Sequence, residues 1–375
     1  MKPKFNLALF FILIIMLKCN ISYSQDIDNS ALGLVKSVYS FFNKISFKAF
    51  IEEYYAYDFY TNNIKNGNNR ILSSTCSFNN EFRLDLIHLS VKYNDENFRA
   101  ALAIQYGDIP FLLKSPEKEY LGMINQGYFG IKLMDKVWVD FGYMSNPIGL
   151  ESIKANKNFL SSVSVAGYFA PDNILGIKVN WEISDKLNTS VQLYNTYGII
   201  TTPNLNKYLG FSIDYSPNER VNMGYNGAFT NFGLEGESPY LQFYNNIFLI
   251  LQLFKKIDLQ AELDFASQTN SKLSDSNATA YLSSGFLGIR YHILPELSIS
   301  GRGEFYYDPD GIESKGVVGN NDYLKTWGFS IGLQYSPFKN FFIRGEYQIL
   351  YSDQKIFYNF RDYRNSIIFS TALEL

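Results

Sequence analysis

Two pairs of opposite charges stand out in the C-terminal part of the chain: Arg302 with Glu304, and Arg344 with Glu346. Within each pair one residue intervenes, so on a β-strand both side chains point to the same side. Such charges can set up an electric field across a solute pathway, or they can form ion pairs that stabilise a wall. The sequence leaves both interpretations open, and the four residues are the first site candidates.

Another stretch, Gly328 to Gly332, matches the G-x-S-x-G pattern of serine hydrolases. A nucleophile elbow needs a strand, a sharp turn and a helix, whereas this match lies inside an alternating, strand-like segment. The two histidines, His88 and His292, lie in no catalytic context. A hydrolase would have to lose activity on Ser330→Ala or His88→Ala, and we predict no enzyme and no catalytic residue.

Composition argues against several classes of ligand. Two cysteines and two histidines nearly exclude a zinc site of the Cys/His type. A formal charge of −3 without a Lys/Arg stripe argues against nucleic acid as a partner. Asp308, Asp310 and Glu313 have side chains that suit calcium, but the EF-hand spacing is absent and Asp310-Gly311 favours a simple turn. We therefore predict no metal and no cofactor.

The first 24 residues have the features of an export signal. Lys2 and Lys4 precede the apolar stretch Leu7–Leu17, and small residues follow at Ser22 and Ser24. As a helix the apolar stretch would span about 17 Å, which is too short for a bilayer core of about 30 Å. We expect a cleaved signal peptide rather than a membrane anchor.

Most of the remaining chain alternates with period two. From Leu297 to Asp308 apolar and aromatic side chains occupy one face and polar side chains the other, and Phe341 to Tyr351 repeats this pattern. Near Leu86–His88 the alternation changes parity, which indicates a β-bulge. About sixteen such segments are predicted, at 47–60, 80–93, 98–107, 122–134, 137–146, 174–184, 187–197, 207–216, 220–232, 239–254, 257–268, 280–293, 297–308, 323–336, 340–352 and 363–375.

Tight and long connections alternate between these segments, seven tight and eight mostly longer. This is the plan of a transmembrane antiparallel β-barrel with short periplasmic turns and longer extracellular loops, in the cell outer membrane. An even number of strands closes the sheet without a free edge, and the outer face would contact outer-membrane lipid. We expect a signal peptide at 1–24, a periplasmic leader with a short helix at 25–45, and the barrel at 46–375.

Sixteen strands would enclose an aqueous channel, whereas about eight would be filled by their own side chains. The alternation directs six basic and nine acidic side chains inward, which predicts at most a weak preference for cations. The longest interior loop, 147–173, is the best candidate for folding into the channel; an ordinary surface loop is the alternative. The predicted pore-lining and constriction residues are Glu151, Lys154, Lys157, Arg290, Arg302, Glu304, Arg344 and Glu346. The inward acidic set is Asp140, Glu182, Asp214, Asp258, Glu262, Asp264, Glu304, Asp308 and Glu346, and the basic set is Arg99, Lys132, Lys178, Arg290, Arg302 and Arg344.

Several motifs resemble those of the OmpL-like outer-membrane β-barrel porins of Gram-negative bacteria, from about residue 48 to 375. The opening strands IEEYYAYDFY and FRLDLIHLSVKYNDENFRAALAIQYGD are similar, as are GRGEFYYDPDG and IRGEYQILYSD near the C-terminus. The marker G-x-x-x-x-P-[IF]-G-x-E is present as Gly142, Pro147, Ile148, Gly149 and Glu151. Leu375 departs from the family, whose barrels usually end in Phe. The resemblance implies an outer-membrane barrel and passive transport.

Three functional hypotheses follow from these patterns. The first is a porin that allows passive diffusion of small hydrophilic solutes or ions, with homotrimers as a common assembly for barrels of this size. The second is a plugged barrel used for binding or adhesion, in which residues 26–45 and loop 147–173 would fill the lumen. The third is the hydrolase, which the sequence disfavours. Conductance in a planar bilayer distinguishes the first hypothesis from the second.

Overall fold

A computed structural model of the chain describes residues 40–59, 70–113, 119–170, 173–197, 206–232, 240–317 and 322–375. These residues form a closed antiparallel barrel of sixteen strands, in which each strand pairs with its sequence neighbours and the first pairs with the last. The predicted fold is confirmed, and the predicted strand ends agree within two residues. The strands are β1 (Ile45–Asp58), β2 (Phe82–Asn94), β3 (Phe98–Tyr106), β4 (Ile124–Met134), β5 (Val137–Ser145), β6 (Asn173–Ser184), β7 (Leu187–Tyr197), β8 (Tyr208–Asn218), β9 (Val221–Phe232), β10 (Tyr240–Leu253), β11 (Ile257–Gln268), β12 (Ala280–His292), β13 (Leu297–Asp308), β14 (Leu324–Phe338), β15 (Phe341–Ser352) and β16 (Tyr363–Glu374).

Helices are short and lie in the connections. They are α1 (Asp108–Leu113), α2 (Glu119–Gly122) and α3 (Val165–Phe169), with 3₁₀ turns at Ala155–Lys157, Phe254–Lys256 and Tyr358–Phe360. None of the helices in the described residues has the length and apolar character needed to cross a bilayer.

The described end of the predicted leader lies at the rim of the barrel. Residues 40–43 are helical, and Phe41 contacts Tyr93 with ring centroids 5.6 Å apart. Lys44 forms an ion pair with Asp95 in the turn between β2 and β3, at 2.8 Å. Because this turn joins strands at the barrel edge, these residues do not enter the lumen. The predicted signal peptide and the rest of the leader lie outside the described residues.

Alternation along each strand separates an apolar outer face from a polar inner face. Leu263 and Ile331, at mid-strand, are 57% and 52% exposed on the outside. Aromatic residues near the strand ends, such as Trp181, Tyr307 and Trp327, are also exposed outward. This is the distribution expected of a lipid-facing surface with interfacial aromatic girdles.

A β-bulge interrupts the pairing of β1 with β2. Glu52 lies opposite Leu86, but Glu53 lies opposite Leu84, so that Asp85 is an extra residue on β2. The predicted parity change is thus confirmed, next to the predicted position. Asp85 is fully buried, because the bulge lets this additional side chain point into the barrel.

The described parts of two long connections fold into the barrel. We name the described residues between β1 and β2, 59 and 70–81, L1, and those between β5 and β6, 146–170, L3. Cys76 of L1 packs with Tyr54, Ala56 and Ile368 of the barrel wall in a buried cluster. Val165 of L3 joins another cluster with Leu72 of L1. The two loops therefore share the interior of the barrel.

Candidate functional site

Glu346 on β15 holds the middle of L3 through its backbone. Its Oε2 accepts hydrogen bonds from the N–H groups of Ser161 and Ser162, at 2.8 and 3.1 Å. The Ser162 hydroxyl donates to the other carboxylate oxygen. The hydroxyl of Ser161 also bonds that of Ser370 on β16. An inward carboxylate thus supplies the acceptors that loop N–H groups need once they leave water.

Arg302 on β13 binds two distant parts of L3. Its Nη1 donates to Glu151 Oε1 at 2.8 Å and to the carbonyl oxygen of Ser162 at 2.6 Å. Its Nη2 donates to Glu304 Oε1 at 3.1 Å. Glu304 in turn accepts from the N–H of Val165, the first residue of α3, at 2.6 Å. This Arg-x-Glu pair therefore joins the beginning of L3 to its end.

The carbonyl groups of L3 are bound by two further arginines. Arg344 Nη2 donates to the carbonyl oxygens of Ala155 and Asn158, at 3.2 and 3.3 Å. Arg290 Nη2 donates to the same carbonyl of Asn158 at 2.8 Å, and its guanidinium lies 4.4 Å from the ring centroid of Phe159. Arginine suits this role because its planar fork offers several donors.

These contacts bear on the two interpretations of the paired charges. The side chains of Arg302, Glu151 and Glu304 are at most 5% exposed, and they form ion pairs with one another. Arg344 and Glu346 are buried as well, and each binds L3. The paired charges therefore hold a loop against the wall, as the second of the two interpretations expects. Their part in a constriction stays a prediction.

The second glycine of the hydrolase-like motif, Gly332, packs against L3. Gly328 to Gly332 lies inside β14, with no strand-to-helix turn, so the nucleophile-elbow interpretation fails. Ser330 is buried on the inner face. A Cβ atom added at Gly332 would lie 2.7 Å from Leu160 Cδ2, and Leu160 is itself buried. The glycine therefore leaves the space that this L3 side chain occupies.

The marker motif at the start of L3 has a structural role. Gly149 adopts φ +92°, a conformation that glycine tolerates best. Ile148 is buried, and Glu262 on β11 accepts a hydrogen bond from the N–H of Leu150. Burial raises the pKa of the Glu151 carboxyl, while Arg302 acts to lower it. The motif thus turns the chain into the lumen and delivers Glu151 to Arg302.

Lys154 and Lys157, like Arg290, keep contact with solvent, unlike the buried wall charges. Those buried charges are Arg302, Glu304, Arg344 and Glu346. Lys157 is exposed, and Lys154 is half-buried with its Nζ 5.8 Å from the ring centroid of Phe50. Burial lowers the pKa of Lys154; the charges of Lys157, Lys48 and Lys92 act in the same direction, and Glu374 opposes them. A basic group therefore lies where L3 approaches β1, β2 and β16.

L1 contributes a residue that sequence reasoning missed. Arg70 is 1% exposed, and its Nε donates to Asp58 Oδ1 on β1 at 2.9 Å. Its Nη2 donates to the hydroxyl of Ser366 on β16 at 2.6 Å. L1 also supports L3, because the Thr75 hydroxyl donates to the carbonyl of Ser161 at 2.9 Å. A single arginine within a long predicted loop carries no local signal of this role.

The wall formed by β3–β9 carries its own charged group. Arg99 donates to both carboxylate oxygens of Asp140, at 2.7 and 2.6 Å, and Asn180 donates to Asp140 at 2.7 Å. Lys178, half-buried, is the strand partner of Asp140. The inner face of β3–β9 is thus polar. It lies across the lumen from the strands to which L3 is hydrogen-bonded.

The acidic segment after β13 forms a turn. Asp308 accepts hydrogen bonds from the N–H groups of Ile312, Glu313 and Ser314, at 2.8, 3.0 and 3.0 Å. Asp310 accepts from the N–H of Leu273 at 3.1 Å. Backbone N–H groups thus donate hydrogen bonds to both carboxylates, which agrees with the predicted turn.

A closed sixteen-stranded barrel with an apolar outer face, a polar inner face and a long loop inside defines the class of outer-membrane porins. The chain belongs to the family described as "putative beta-barrel porin-2, OmpL-like", whose profile matches residues 44–374. The family resemblance expected from the motifs is confirmed, and the description of the family is that of a porin. No curated protein sequence matches this chain.

Solved porins share the fold at low sequence identity. The outer-membrane channel DcaP of Acinetobacter baumannii superposes with a TM-score of 0.59 at 12% identity, covering 88% of this chain and 97% of that one. OmpF of Salmonella typhi, solved with daunomycin, gives 0.58 at 10% identity, with coverages of 88% and 97%. OprB of Pseudomonas putida gives 0.57 at 10% identity, with coverages of 96% and 100%.

Proposed function

We propose that this porin conducts small hydrophilic solutes passively through a gap between L3 and the wall of β3–β9. The observation that carries the proposal is that the hydrogen bonds of L3 run to one side of the barrel, while on the other side Ile148, near the start of L3, packs with Tyr194 and Tyr208. Its hydrogen bonds described above run to inward side chains of β11, β12, β13, β15 and β16. A loop held against one side narrows a barrel lumen and leaves the opposite side for solutes.

The charges that remain accessible favour anions, contrary to the weak cation preference expected from the inward count. Six of the nine inward acids are buried and engaged with loops or neighbouring side chains. The less buried part of L3 instead carries Lys154 and Lys157, and the half-buried Lys178 lies on β6, in the wall of β3–β9. We infer a weak anion preference at the constriction. The six buried acids are Asp140, Glu262, Asp264, Glu304, Asp308 and Glu346.

The proposal is tested by reversal potentials in a planar bilayer under a KCl gradient, using the refolded mature chain. Stable channels with a weak anion preference are expected. The double variant Lys154→Gln/Lys157→Gln should shift the reversal potential toward cations. Lys136→Gln is the matched control, because Lys136 lies in a periplasmic turn, 3.7 Å from Asp185, and away from L3. An unchanged potential in the double variant would contradict the assigned constriction.

The second candidate function is that of a plugged barrel used for binding or adhesion. The burial of wall charges beneath the two loops favours it. L1 and L3 together cover Arg302, Arg344, Glu304 and Glu346 almost completely. The plug would then consist of L1 and L3, and the described end of the leader, residues 40–45, lies at the rim. Silence in the bilayer from a barrel shown to be folded by heat-modifiable gel mobility would reject the open pore and support this candidate.

We propose that the chain assembles as a homotrimer through the face formed by β16, β1 and β2. Glu53 is exposed on the outer side of β1, about midway along the strand. It lines a groove of about 410 Å³ with Ile51, Leu84, Phe341 and Leu373. A charge directed into hydrocarbon is unfavourable, so contact with a second copy would remove Glu53 from lipid.

Assembly is tested with a photo-crosslinking residue placed at position 53 of the full-length protein in outer membranes. Crosslinked dimers and trimers of the chain are expected. Position 209 is the matched control, since Leu209 is 49% exposed on the outer face of β8. Crosslinks that form equally at both positions, or at neither, would overturn the assigned face.

A further inference from the structure

Three side chains with metal-binding atoms meet inside the barrel wall. Glu52 comes from β1, Asp85 from the bulge of β2, and Cys76 from L1. One potential ligand atom of each lies within 4.8 Å of the others. The three residues are 1%, 0% and 0% exposed. The bulge is what makes this arrangement possible, because it adds Asp85 to the inward side chains.

Each carboxylate at this point retains one oxygen without a hydrogen-bond partner among the described residues. These oxygens are Glu52 Oε1 and Asp85 Oδ1. The second oxygens are bonded: Asp85 Oδ2 accepts from the N–H of Cys76 at 2.8 Å, and Glu52 Oε2 accepts from the N–H of Ala155 at 3.4 Å. Leaving two neighbouring carboxylate oxygens buried without a partner is costly, and a cation between them would remove that cost.

The nearby guanidinium groups are directed elsewhere. Arg70 binds Asp58, Ser366 and the carbonyl oxygen of Cys76. The Nη groups of Arg344 donate to L3 and Gln334. Neither arginine makes a hydrogen bond to Glu52 or Asp85 among the contacts of the described residues. The two carboxylates and the thiol therefore form a group with capacity for a cation of its own.

We propose that Glu52, Cys76 and Asp85 bind one zinc ion. A thiolate ligand disfavours calcium and magnesium, which prefer oxygen alone, whereas zinc accepts sulfur and carboxylate oxygen in one tetrahedral site. Water would supply the fourth ligand. On binding, the Cys76 thiol releases its proton to solvent, and the sulfur then bonds zinc as a thiolate.

Zinc at this site would fasten L1 to the wall and, through L1, support L3. The residue before Cys76 is Thr75, whose hydroxyl binds the carbonyl of Ser161 and accepts from the N–H of Val163 at 3.2 Å. The ion would thus connect β1 and β2 with the loop that narrows the lumen. Zinc at this site would stabilise L1 and L3 whichever solute the barrel conducts.

The test uses the refolded mature barrel after removal of metal, with cobalt(II) and zinc(II) as probes. Cobalt should produce thiolate-to-metal charge-transfer absorption at one equivalent, and zinc should displace it. Cys76→Ser should abolish this absorption. Glu52→Gln, which keeps the thiol, should lose the one-to-one stoichiometry. Asp140→Asn is the matched control, because Asp140 is also an inward buried carboxylate but pairs with Arg99.

Folding of every variant is followed by heat-modifiable gel mobility, so that loss of metal binding is distinguished from loss of the barrel. Absence of thiolate–cobalt absorption in a folded wild-type barrel would overturn the proposal, and would mean that the carboxylates retain protons instead. Zinc bound equally by wild type and Cys76→Ser would also overturn it. Normal binding by Asp140→Asn, with loss in the two cluster variants, is the expected result.

Discussion

Arg302 on β13 and Glu151 in L3 form an ion pair with an Nη1–Oε1 distance of 2.8 Å, across 151 positions of sequence. Their side chains are 2% and 5% exposed. The same guanidinium binds the carbonyl of Ser162, so one wall residue positions two parts of the loop. The conformation of L3 is therefore determined by the inner wall as much as by its own sequence.

Replacing Arg302 with methionine should release L3. The change leaves the carboxylates of Glu151 and Glu304 buried together without their cation, and removal of one partner of a buried ion pair costs about 3–5 kcal/mol. We expect a lower free energy of unfolding in urea and larger, noisier single-channel conductance. Arg99→Met serves as the control, because Arg99 binds Asp140 on the other wall. The single-channel current of this variant should be no noisier than that of wild type. Quiet, wild-type channels from Arg302→Met would contradict the anchoring role.

Glu346 allows a graded test of the same attachment. Glu346→Gln retains an oxygen acceptor for the N–H groups of Ser161 and Ser162, whereas Glu346→Leu retains none. Each buried N–H left without a partner costs about 1–3 kcal/mol. Trypsin should therefore cleave L3 at Lys154 or Lys157 fastest in the leucine variant and at an intermediate rate in the glutamine variant. Equal cleavage rates in all three proteins would argue against an interaction through these N–H groups.

The anion preference should depend on pH through Lys154. Its pKa lies below that of a free lysine, because burial and the charges of Lys157, Lys48 and Lys92 outweigh Glu374. As pH rises above neutrality, Lys154 therefore loses its positive charge earlier than an ordinary lysine would. Reversal potentials should shift toward cations over that range, and Lys154→Gln should show a smaller shift. A pH dependence that is the same in wild type and in Lys154→Gln would exclude Lys154 as a contributor.

The strands could be predicted from the sequence because the direction of a strand side chain is a local property. Alternation alone placed Arg302, Glu304, Arg344 and Glu346 on the inner face, where the structure has them. Their partners could not be predicted, since they lie on L3, far away in sequence. The weak cation preference expected from the sequence has the same limit, because counting inward charges does not reveal which of them a loop will cover.

The residues of L1 and of the proposed zinc site show a second limit of prediction from the sequence. Both faces of β1 carry acidic and aromatic residues, so alternation alone does not assign Glu52 to the inside. Cys76 and Arg70 lie in a loop without periodicity. Their positions depend on burial against β1 and β16, which only the closed barrel provides. The expectation of no metal rested on the small number of cysteines and histidines, and carboxylates supply the missing ligands in our proposal.

Gly332 offers a test of the packing between L3 and the wall that leaves every charged anchor in place. A Cβ atom there would already lie 2.7 Å from Leu160 Cδ2, so Gly332→Leu must displace Leu160 from β14. We expect faster tryptic cleavage of L3 and a larger conductance, with the barrel still heat-modifiable. Gly301→Leu is the matched control, because Gly301 points outward and a Cβ atom there has no contact closer than 3.8 Å. If both leucine variants change the cleavage rate and the conductance equally, the changes arise from the strands and not from the contact between Leu160 and Gly332.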